Sequence, residues 1–338
     1  MIKKFFSIKG LMNKYKKIGS LFLLVLILFF SSSIVRAEKI ILKVFHAGSL
    51  AVPFSYIEKA FEKKYPYIDV RRESSGSVRA VRKVTDLHKP CDVVASADYS
   101  LISDMMFPKY TEHVKLFAKN ELVIAYTEKS KFAEKINSSN WFEILAKEGV
   151  KFGFSNPNLD PCGYRAIIML VLSELYYKKP IIDTLIKPYL PFKFIKNPKK
   201  ITVIIPKIFS PKGKKIFIRP KEVDLLGLLE GGAIDYLIIY RSVALQHNLK
   251  FIKLPDKVNL GSEKYVDIYK KIIVVLGTGK KVKGKPIIYG ITALKTAPHP
   301  KEAKLFEDFV TSRKGAELIK KAYQIPVYPA IEIKYQKK

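Results

Sequence analysis

The sequence predicts an α/β protein in which two lobes are each built on a largely parallel β-sheet. Three strand–loop–helix units follow one another between residues 40 and 106, and the same order restarts at residue 150. Repeated units of this kind favour parallel strands joined by right-handed crossovers. The chain has 338 residues, which is enough for two domains with separate cores.

The N-terminal 37 residues have the features of a secretory signal peptide. Six lysines precede the apolar run Leu21–Phe30, and the small residues up to Ala37 offer a cleavage site. The run is short for a transmembrane helix. No cysteine lies near Ala37, so a bacterial-type lipid anchor is not indicated. We therefore expect an extracytoplasmic protein that is secreted after cleavage, or tethered to the outer face of the membrane by an uncleaved segment.

The composition is strongly basic, with a formal net charge of +31 that comes mostly from lysine. Nucleic-acid binding is one interpretation, but the chain has no Arg-rich stripe, zinc finger or paired aromatic RNA motif. A Lys- and Ile-rich composition is also typical of a thermophilic protein or of a general bias towards solubility. A basic protein also attracts small anions over long range, so its charge does not by itself indicate nucleic acid. Because the sequence lacks the nucleic-acid-binding motifs, we expect no nucleic-acid partner.

The first predicted unit begins with Ile40–Phe45, an apolar and β-branched run typical of a buried strand. The loop His46–Ser49 follows, and Ser49 is placed to cap the next helix. Apolar residues spaced three and four apart predict that helix: Leu50, Phe54, Ile57 and Phe61.

The second and third units repeat this order. A strand over Tyr67–Arg72 leads through the loop Glu73–Ser77 to a helix, and a strand over Asp92–Ser96 leads to the helix Asp98–Met106. In parallel sheets, ligands gather where strands end and helices begin, so these loops mark the expected binding edge.

The next elements open the second lobe. Strands are predicted at Val114–Phe117 and Leu122–Tyr126, followed by a short helix over Trp141–Ala146. The strand–helix order then restarts with a strand over Val150–Phe154 and a long helix over Cys162–Tyr177.

The stretch Asn158-Leu159-Asp160-Pro161-Cys162-Gly163-Tyr164-Arg165 joins that strand to that helix. Asp160 is a favourable N-cap residue, and Pro161 is favoured at the first helical position. Gly163 allows another group to approach the backbone closely. A helix start of this kind presents free N–H groups and a positive dipole end, which suit an anion. Taken alone, the simpler interpretation is a well-capped helix without a ligand.

Residues 184–221 form a basic excursion with ten Lys, one Arg and no acidic residue. Six prolines interrupt it, and hairpin character is predicted around Ile201–Ile205 and Ile216–Ile218. The excursion is either a variable solvated loop or a surface for anion steering or partner docking.

The remaining elements suggest where the lobes begin and end. Glu222 is predicted to begin a helix, and Asp235–Tyr240 to form a buried strand. Strands over Lys271–Leu276 and Ile287–Leu294 and two final helices are expected to return to the first lobe. The predicted domains are an export segment, 1–37, a first lobe, 38–122 plus 268–338, and a second lobe, 123–267.

Signatures of catalysis are weak. The run around Ser49 lacks the second glycine of a serine-hydrolase nucleophile motif, although His46 lies close by. The five histidines are scattered without metal-ligand spacing, and no P-loop or dinucleotide fingerprint is present. An exported hydrolase that uses His46 and Ser49 stays as the alternative, and no cofactor is expected.

A loop that carries Ser and Gly at a helix start recurs in both predicted lobes. It occurs at Gly48-Ser49, at Ser75-Gly76-Ser77 and at Asp160–Tyr164. Serine hydroxyls and backbone N–H groups are donors suited to an oxyanion. Three such loops in an exported protein indicate a ligand clamped in a cleft.

Four motifs occur in an order that can be compared with known families: His46-Ala47-Gly48-Ser49-Leu50, Ser74-Ser75-Gly76-Ser77, Asp160-Pro161-Cys162-Gly163-Tyr164-Arg165, and Asp235-Tyr236 through Tyr240-Arg241-Ser242. Together they resemble the archaeal tungstate/molybdate-binding proteins of ABC transporters, relatives of bacterial molybdate-binding proteins, over about residues 40–330. The resemblance implies a two-lobed periplasmic-binding-protein fold of type II with the ligand in the interlobe cleft. It also implies a monomer that delivers the oxyanion to a membrane permease and ATPase.

The resemblance also assigns residues. Hydroxyls and backbone N–H groups of the motif loops would bind the oxygens: Gly48, Ser49, Ser77, Cys162, Gly163, Tyr164 and Tyr240. Two carboxylates, Asp160 and Glu222, would reach the metal itself and complete six-coordination, with Asp224 and Glu230 as rivals for the second position.

Paired carboxylates bear on ligand choice. A carboxylate is repelled by the oxygens of a dianion, so it helps only by bonding a hard metal centre. The sulfur of sulfate does not readily expand its shell in this way, so the acids would favour tungstate or molybdate. A receptor for another tetrahedral oxyanion such as sulfate is the alternative.

Cys91 and Cys162 are the only cysteines. Two small buried residues are favoured over a disulfide. Cys162 lies at a helix start, where a lowered thiol pKa is expected.

Overall fold

The structure, a computed structural model, describes residues 38–337. The predicted export segment therefore lies outside the described residues. Within residues 38–337, no helix has the length and apolar character needed to cross a membrane. Residues 40–338 group as one compact unit, which contains three β-sheets and the helices that cover them.

The first sheet has six strands in the order β15-β4-β14-β3-β1-β2. Its strands are β1 (Ile40–Ala47), β2 (Ile68–Ser75), β3 (Val93–Ser96), β4 (His113–Asn120), β14 (Ile287–Ala293) and β15 (Ile325–Lys334). Strand β1 lies parallel between β2 and β3, as the repeated units predict, while β14, β4 and β15 add antiparallel strands. The C-terminal chain therefore returns to the sheet where it began.

The second sheet has five strands in the order β11-β5-β10-β6-β9. Its strands are β5 (Leu122–Tyr126), β6 (Phe152–Ser155), β9 (Ile216–Arg219), β10 (Tyr236–Tyr240) and β11 (Lys250–Lys253). Strand β6 lies parallel to both β10 and β9, so the loops that follow these three strands leave the same edge.

The third sheet contains much of the basic excursion, in the order β13-β12-β8-β7. Its strands are β7 (Lys193–Asn197), β8 (Lys200–Ile204), β12 (Ile272–Val275) and β13 (Lys281–Lys283). The hairpin character predicted around Ile201–Ile205 is confirmed, while the run near 216–218 forms no hairpin. Strand β8 pairs with β7 across a tight turn, and β9 instead extends the second sheet beside β6. Alternating buried residues in β8 supply this sheet with a core face of its own.

Eleven α-helices are described within residues 38–337: α1 (Ala51–Lys64), α2 (Ser77–Thr85), α3 (Tyr99–Met106), α4 (Trp141–Ala146), α5 (Pro161–Tyr177), α6 (Ile181–Leu185), α7 (Leu226–Glu230), α8 (Arg241–Gln246), α9 (Val266–Tyr269), α10 (Pro300–Thr311) and α11 (Arg313–Lys321). Helix α5 is buried from Pro161 to Ser173, which explains its nearly continuous apolar sequence. Short 3-10 turns precede α1 and α7, at Gly48–Leu50 and Glu222–Leu225.

The structure shifts one predicted helix start and confirms another. Ser49 lies inside a 3-10 turn, so Leu50 rather than Ser49 takes the N-cap position of α1. Asp160 does occupy the N-cap position of α5, and Pro161 is the first helical residue, but the Asp160 side chain makes no capping hydrogen bond. That carboxylate is used elsewhere.

Candidate functional site

Loops from the first and second sheets meet at one place. The loops after the parallel strands β1, β2 and β3 lie at one sheet edge because the strands run side by side. The loop before α5 and the turn at Glu222 face them from the second sheet. A Cβ atom placed on Gly48 would lie 3.0 Å from Glu222 Oε2, and one on Gly76 would lie 2.4 Å from the Leu159 carbonyl oxygen.

Glu222 and Asp160 are the two carboxylates of this site, and both are 1% exposed. Asp160 Oδ2 accepts a hydrogen bond from the Glu222 backbone N–H at 3.2 Å, so the two residues are direct neighbours. Both oxygens of the Glu222 carboxylate lack a hydrogen-bond partner among residues 38–337. Buried polar groups are nearly always paired, so a buried carboxylate in this position is stabilised either by a proton or by a further partner.

Burial raises the pKa of Asp160 above its ordinary value. It raises the pKa of Glu222 further, because the neighbouring Asp160 charge adds to the effect of burial. The rivals for the second carboxylate lie elsewhere: Asp224 pairs with Lys221, and Glu230 pairs with His247 at the surface. Glu222 is thus the acid that the fold turns inward.

Three hydroxyl groups of the predicted site already accept a hydrogen bond. Ser49 Oγ accepts from Tyr289 Oη at 2.9 Å, and Ser77 Oγ accepts from the Ala97 N–H at 3.0 Å. Tyr240 Oη accepts from Arg165 Nη1 at 2.8 Å. A hydroxyl that accepts in this way keeps its own hydrogen for another acceptor. The fold therefore presets these groups as donors.

Support for the Ser49 hydroxyl comes from residues that the sequence reasoning missed. Tyr289 Oη accepts from Asn120 Nδ2 at 3.1 Å, which directs the Tyr289 hydrogen towards Ser49. The same Asn120 amide donates to Ser242 Oγ at 2.8 Å. Tyr289 follows Asn120 by 169 positions in the chain. No local sequence signal links residues this far apart.

The start of α5 is tightly built around Gly163. A Cβ atom at Gly163 would lie 2.2 Å from the Ser155 carbonyl oxygen, so only glycine fits. The Gly163 N–H donates to the Asp160 carbonyl at 3.1 Å and is already used. The N–H of Cys162 belongs to the first turn, where backbone N–H groups have no acceptor within the helix.

Cys162 is fully buried, and neither it nor Cys91 forms a disulfide. The expected lowering of the Cys162 thiol pKa is wrong. Burial raises that pKa well above its ordinary value, and the nearby charges of Glu222 and Asp160 raise it further. Cys91 is also buried, and burial raises its pKa to about 12.

Tyr164 and Arg165 point towards the first sheet. Tyr164 Oη donates to Asp98 Oδ2 at 2.7 Å, and Arg165 Nη1 donates to the Ala97 carbonyl at 2.7 Å. The hydroxyl of Tyr164 is therefore occupied by Asp98, and an anion would have to displace that bond. Asp98 has a readable signal that the sequence reasoning did not use, since it follows the third parallel strand at the same sheet edge as Ser49 and Ser77.

Asn158 connects the loop before α5 to the third sheet. Its Nδ2 donates to the Pro206 carbonyl at 2.8 Å, and its Oδ1 accepts from the Gly277 N–H at 2.8 Å. Gly277 approaches the backbone so closely that a Cβ there would lie 2.3 Å from Lys207 Cα. The position of the Asp160 loop thus depends on the third sheet.

His46 lies below the site rather than in it. It is 1% exposed, its Nδ1 bonds to the Ala47 carbonyl at 2.8 Å, and its ring packs on Phe54. Burial lowers its pKa to about 4. No hydrogen bond joins His46 to Ser49 within the described residues, so the pair lacks the contact that a nucleophile and base require.

The site places acceptors and donors side by side. Within residues 38–337, no group of three or more His, Cys, Asp or Glu side chains is placed to hold a metal ion. The two inward carboxylates lie beside hydroxyl groups that can donate hydrogen bonds. Donors and acceptors side by side fit a ligand that has oxygens outside and an electron-poor centre inside.

Comparison with known proteins gives two results of different weight. The family profile of the bacterial extracellular solute-binding proteins matches residues 42–323. The molybdate/tungstate-binding protein WtpA of Pyrococcus abyssi is 49% identical over 300 residues, covering 85% of this chain and 85% of its own. WtpA of Thermococcus kodakarensis is 47% identical over 300 residues, covering 85% and 82%.

Solved structures support the same fold at lower identity. The periplasmic molybdate-binding protein of Azotobacter vinelandii superposes with a TM-score of 0.57 at 17% identity, covering 84% of this chain and 98% of its own. The sulfate-binding protein SubI of Mycobacterium tuberculosis superposes with a TM-score of 0.58 at 13% identity, covering 86% and 88%. At such identities the likeness concerns the fold: this chain has the α/β fold of the periplasmic solute-binding proteins, as the sequence predicts.

Proposed function

The chain belongs to the bacterial extracellular solute-binding protein family, and from that premise we propose that it captures tungstate or molybdate for an ABC importer. The observation that carries the proposal is the pair of buried carboxylates, one of them without a partner, beside three hydroxyls preset as donors. Relatives that share almost half of its sequence carry the name molybdate/tungstate-binding protein.

The proposed binding mode uses both sets of groups. The hydroxyls of Ser49, Ser77 and Tyr240 donate to oxyanion oxygens, together with backbone N–H groups near Gly48 and Cys162. Asp160 and Glu222 bond the metal centre and raise its coordination number to six. This mode gives the unpaired Glu222 oxygens an electron-poor partner and so removes the penalty of burying them alone.

The same carboxylates argue against sulfate as the preferred ligand. Sulfur in sulfate stays four-coordinate, so Asp160 and Glu222 would face oxygens of like charge at short range. In a buried site this repulsion is poorly screened. We therefore propose that the carboxylates reject sulfate and phosphate, although the basic surface attracts all of these anions alike.

We assign one lobe to the first sheet and the other to the second and third sheets, which moves β12 and β13, expected in the first lobe, to the second lobe. The ligand then lies between lobes that approach each other on binding, a hinge motion. We further propose that the protein acts outside the cytoplasm as a monomer, without catalytic activity, and passes the oxyanion to a permease and its ATPase.

Calorimetric titration of residues 38–338 with tungstate, molybdate, sulfate and phosphate tests the proposal. We expect tight binding of the first two ions, and for sulfate and phosphate a dissociation constant at least about a hundredfold higher, since like-charge contacts cost several kcal/mol. Equal affinity for sulfate would favour a general oxyanion receptor. Binding of none of the four ions would refute the function.

A further inference from the structure

A buried charged cluster joins the first sheet to the start of α5 beside the proposed anion site. The cluster consists of Asp98, Tyr164, Arg165 and Lys285, and is called the Asp98 cluster below. Asp98 is 1% exposed and Arg165 2% exposed. None of the four is an anion ligand in the binding mode proposed above, so the purpose of burying these charges is a separate question.

The two oxygens of Asp98 have different partners. Oδ1 accepts from the Ser100 N–H at 3.0 Å and from Lys285 Nζ at 2.8 Å, which fixes the carboxylate at the start of α3. Oδ2 is directed at α5, where it accepts from Tyr164 Oη at 2.7 Å and lies 3.6 Å from Arg165 Nη2. One oxygen is thus held by its own helix and a lysine, and the other reaches only across to α5.

Charge keeps this contact in place. Burial alone would raise the pKa of Asp98, but the charges of Lys285 and Arg165 more than offset burial and hold that pKa well below its usual range. The Asp98 carboxylate is therefore ionised, and hydrogen bonds to an ionised acceptor are about twice as strong as neutral ones. Arg165 adds a second link across the same junction by donating to the Ala97 carbonyl at 2.7 Å.

The cluster acts on the anion site through chain connectivity. Tyr164 and Arg165 directly follow Cys162 and Gly163, and they stand four and five positions after Asp160. Arg165 Nη1 also donates to Tyr240 Oη, which leaves the Tyr240 hydrogen for the anion. Fixing these two residues on Asp98 therefore fixes both the Asp160 loop and the Tyr240 donor against the first sheet.

We propose that Asp98 is a positioning residue for anion retention: it holds the start of α5 against the first sheet once the anion is bound, and so slows anion release. This inference rests on the proposed function. A bound anion brings the two sides together, and the Asp98 cluster then adds contacts that the separated sides lack. Separated, Asp98 Oδ2 and the Tyr164 hydroxyl would bond to water instead.

The charge of Asp98 and its positioning of α5 have opposite effects on anion binding. Asp98 is a negative charge close to the proposed dianion site, so its removal alone would favour anion binding. If Asp98 acts only through charge, Asp98→Asn tightens binding. If it positions α5, Asp98→Asn weakens binding in spite of the more favourable charge.

Release kinetics test the inference with Tyr164→Phe, Asp98→Asn and the double variant. Each protein is loaded with radiolabelled molybdate, and release is followed by rapid filtration after addition of excess unlabelled tungstate. We expect Tyr164→Phe to release molybdate roughly ten- to a hundredfold faster, as the loss of a hydrogen bond to a charged group predicts, with a little-changed association rate. The double variant should release it hardly faster than the more affected single variant, because the two residues form one contact.

Tyr110→Phe is the matched control. Tyr110 is buried and donates its hydroxyl to the Thr85 carbonyl at 3.2 Å, a bond between two elements on the first-sheet side. Tyr110→Phe should lower the melting temperature, though less than Tyr164→Phe because its acceptor is a neutral carbonyl, while leaving molybdate release unchanged. Release from Tyr164→Phe within twofold of the parent, or tighter binding by Asp98→Asn, overturns the inference while the function stands. A parent that binds neither molybdate nor tungstate overturns both.

Discussion

The two sides of the proposed site handle their polar groups in opposite ways. On the first-sheet side, Ser49 and Ser77 are neutral, and each already accepts a hydrogen bond from a buried neighbour. On the second-sheet side, Asp160 and Glu222 are acids, and Glu222 has no hydrogen-bond partner for either oxygen. The hydroxyl oxygens of the first side thus already have donors, whereas the Glu222 oxygens of the second side have none. The comparison suggests that the first side orients the anion, while the second side determines which anion binds.

The largest expected effect comes from neutralising the second side. Asp160→Asn and Glu222→Gln keep the side-chain shape but remove the carboxylates proposed to bond the metal centre. We expect the dissociation constant for tungstate to rise at least about a hundredfold in each, because loss of even outer partners of metal ligands costs 10- to 100-fold. Ser49→Ala should cost less, roughly ten- to a hundredfold, the value of one hydrogen bond to a charged acceptor. Calorimetry on the three variants measures the contrast, and equal losses would abolish the distinction between the sides.

A smaller effect is expected where the two sides touch. Gly76→Ala places a Cβ 2.4 Å from the Leu159 carbonyl oxygen, closer than atoms can approach, so the two sides cannot meet fully. Such overpacking costs about 1–3 kcal/mol, which corresponds to roughly a ten- to hundredfold loss of tungstate affinity. Gly227→Ala is the control, since its Cβ would meet no atom within 4 Å. Unchanged affinity in Gly76→Ala would mean that the loops need not come this close.

Glu222→Gln should weaken tungstate binding but increase the stability of the ligand-free protein. The folded-state pKa of Glu222 lies well above its ordinary value of 4.5, so the contribution of Glu222 to ligand-free stability is greatest below about pH 4.5 and is lost as pH rises towards the folded-state pKa. Glutamine removes this loss. Without ligand, we expect Glu222→Gln to be more stable than the parent at pH 7 by about 1–3 kcal/mol, the cost of an unsatisfied buried group. Thermal melts from pH 4 to pH 8 should show a gap that widens with pH, and a constant gap would contradict the assignment.

The first side should show a pH dependence of the opposite sign. Burial lowers the pKa of His46 from 6.5 to about 4, so its contribution to stability is complete above pH 6.5 and is lost as pH falls towards 4. His46→Gln cannot titrate and should lose less stability than the parent over this window. Denaturant titrations at pH 7, 5.5 and 4.5 measure the difference. If the free energy of unfolding changes equally with pH in the parent and the variant, groups other than His46 dominate the acid sensitivity.

The sequence indicated those parts of the site that depend on local chemistry. Ser49, Ser77 and Asp160 each lie at a strand–helix joint with a recognisable run of small and polar residues, and parallel strands bring such joints to one edge. Asp160 was expected to cap its helix, yet its carboxylate accepts from the Glu222 N–H instead. A cap and a site ligand have the same local signature, and only the partner 62 positions away distinguishes them.

What the sequence did not indicate depends on long-range pairing. Asp98 follows a predicted strand at the binding edge, but no local pattern shows that its partner is Tyr164, 66 positions further along the chain. Hairpin character is predicted in the basic excursion, but local patterns do not show that β8 also pairs in parallel with β12, about 70 residues further along the chain. Strand partners are chosen by which buried faces fit together, which alternation within a single run does not reveal.

The bond between Asn158 and the third sheet has a consequence for how this protein can change over generations. Because the Pro206 and Gly277 backbones hold Asn158, any substitution that shifts these outer strands also shifts the Asp160 loop. Substitutions on the lysine-rich exterior can therefore change anion affinity, so selection acts on both properties together. Variant libraries for altering ligand preference should include positions 206–207 and 277. Substitutions there shift the Asp160 loop without replacing any group that faces the anion.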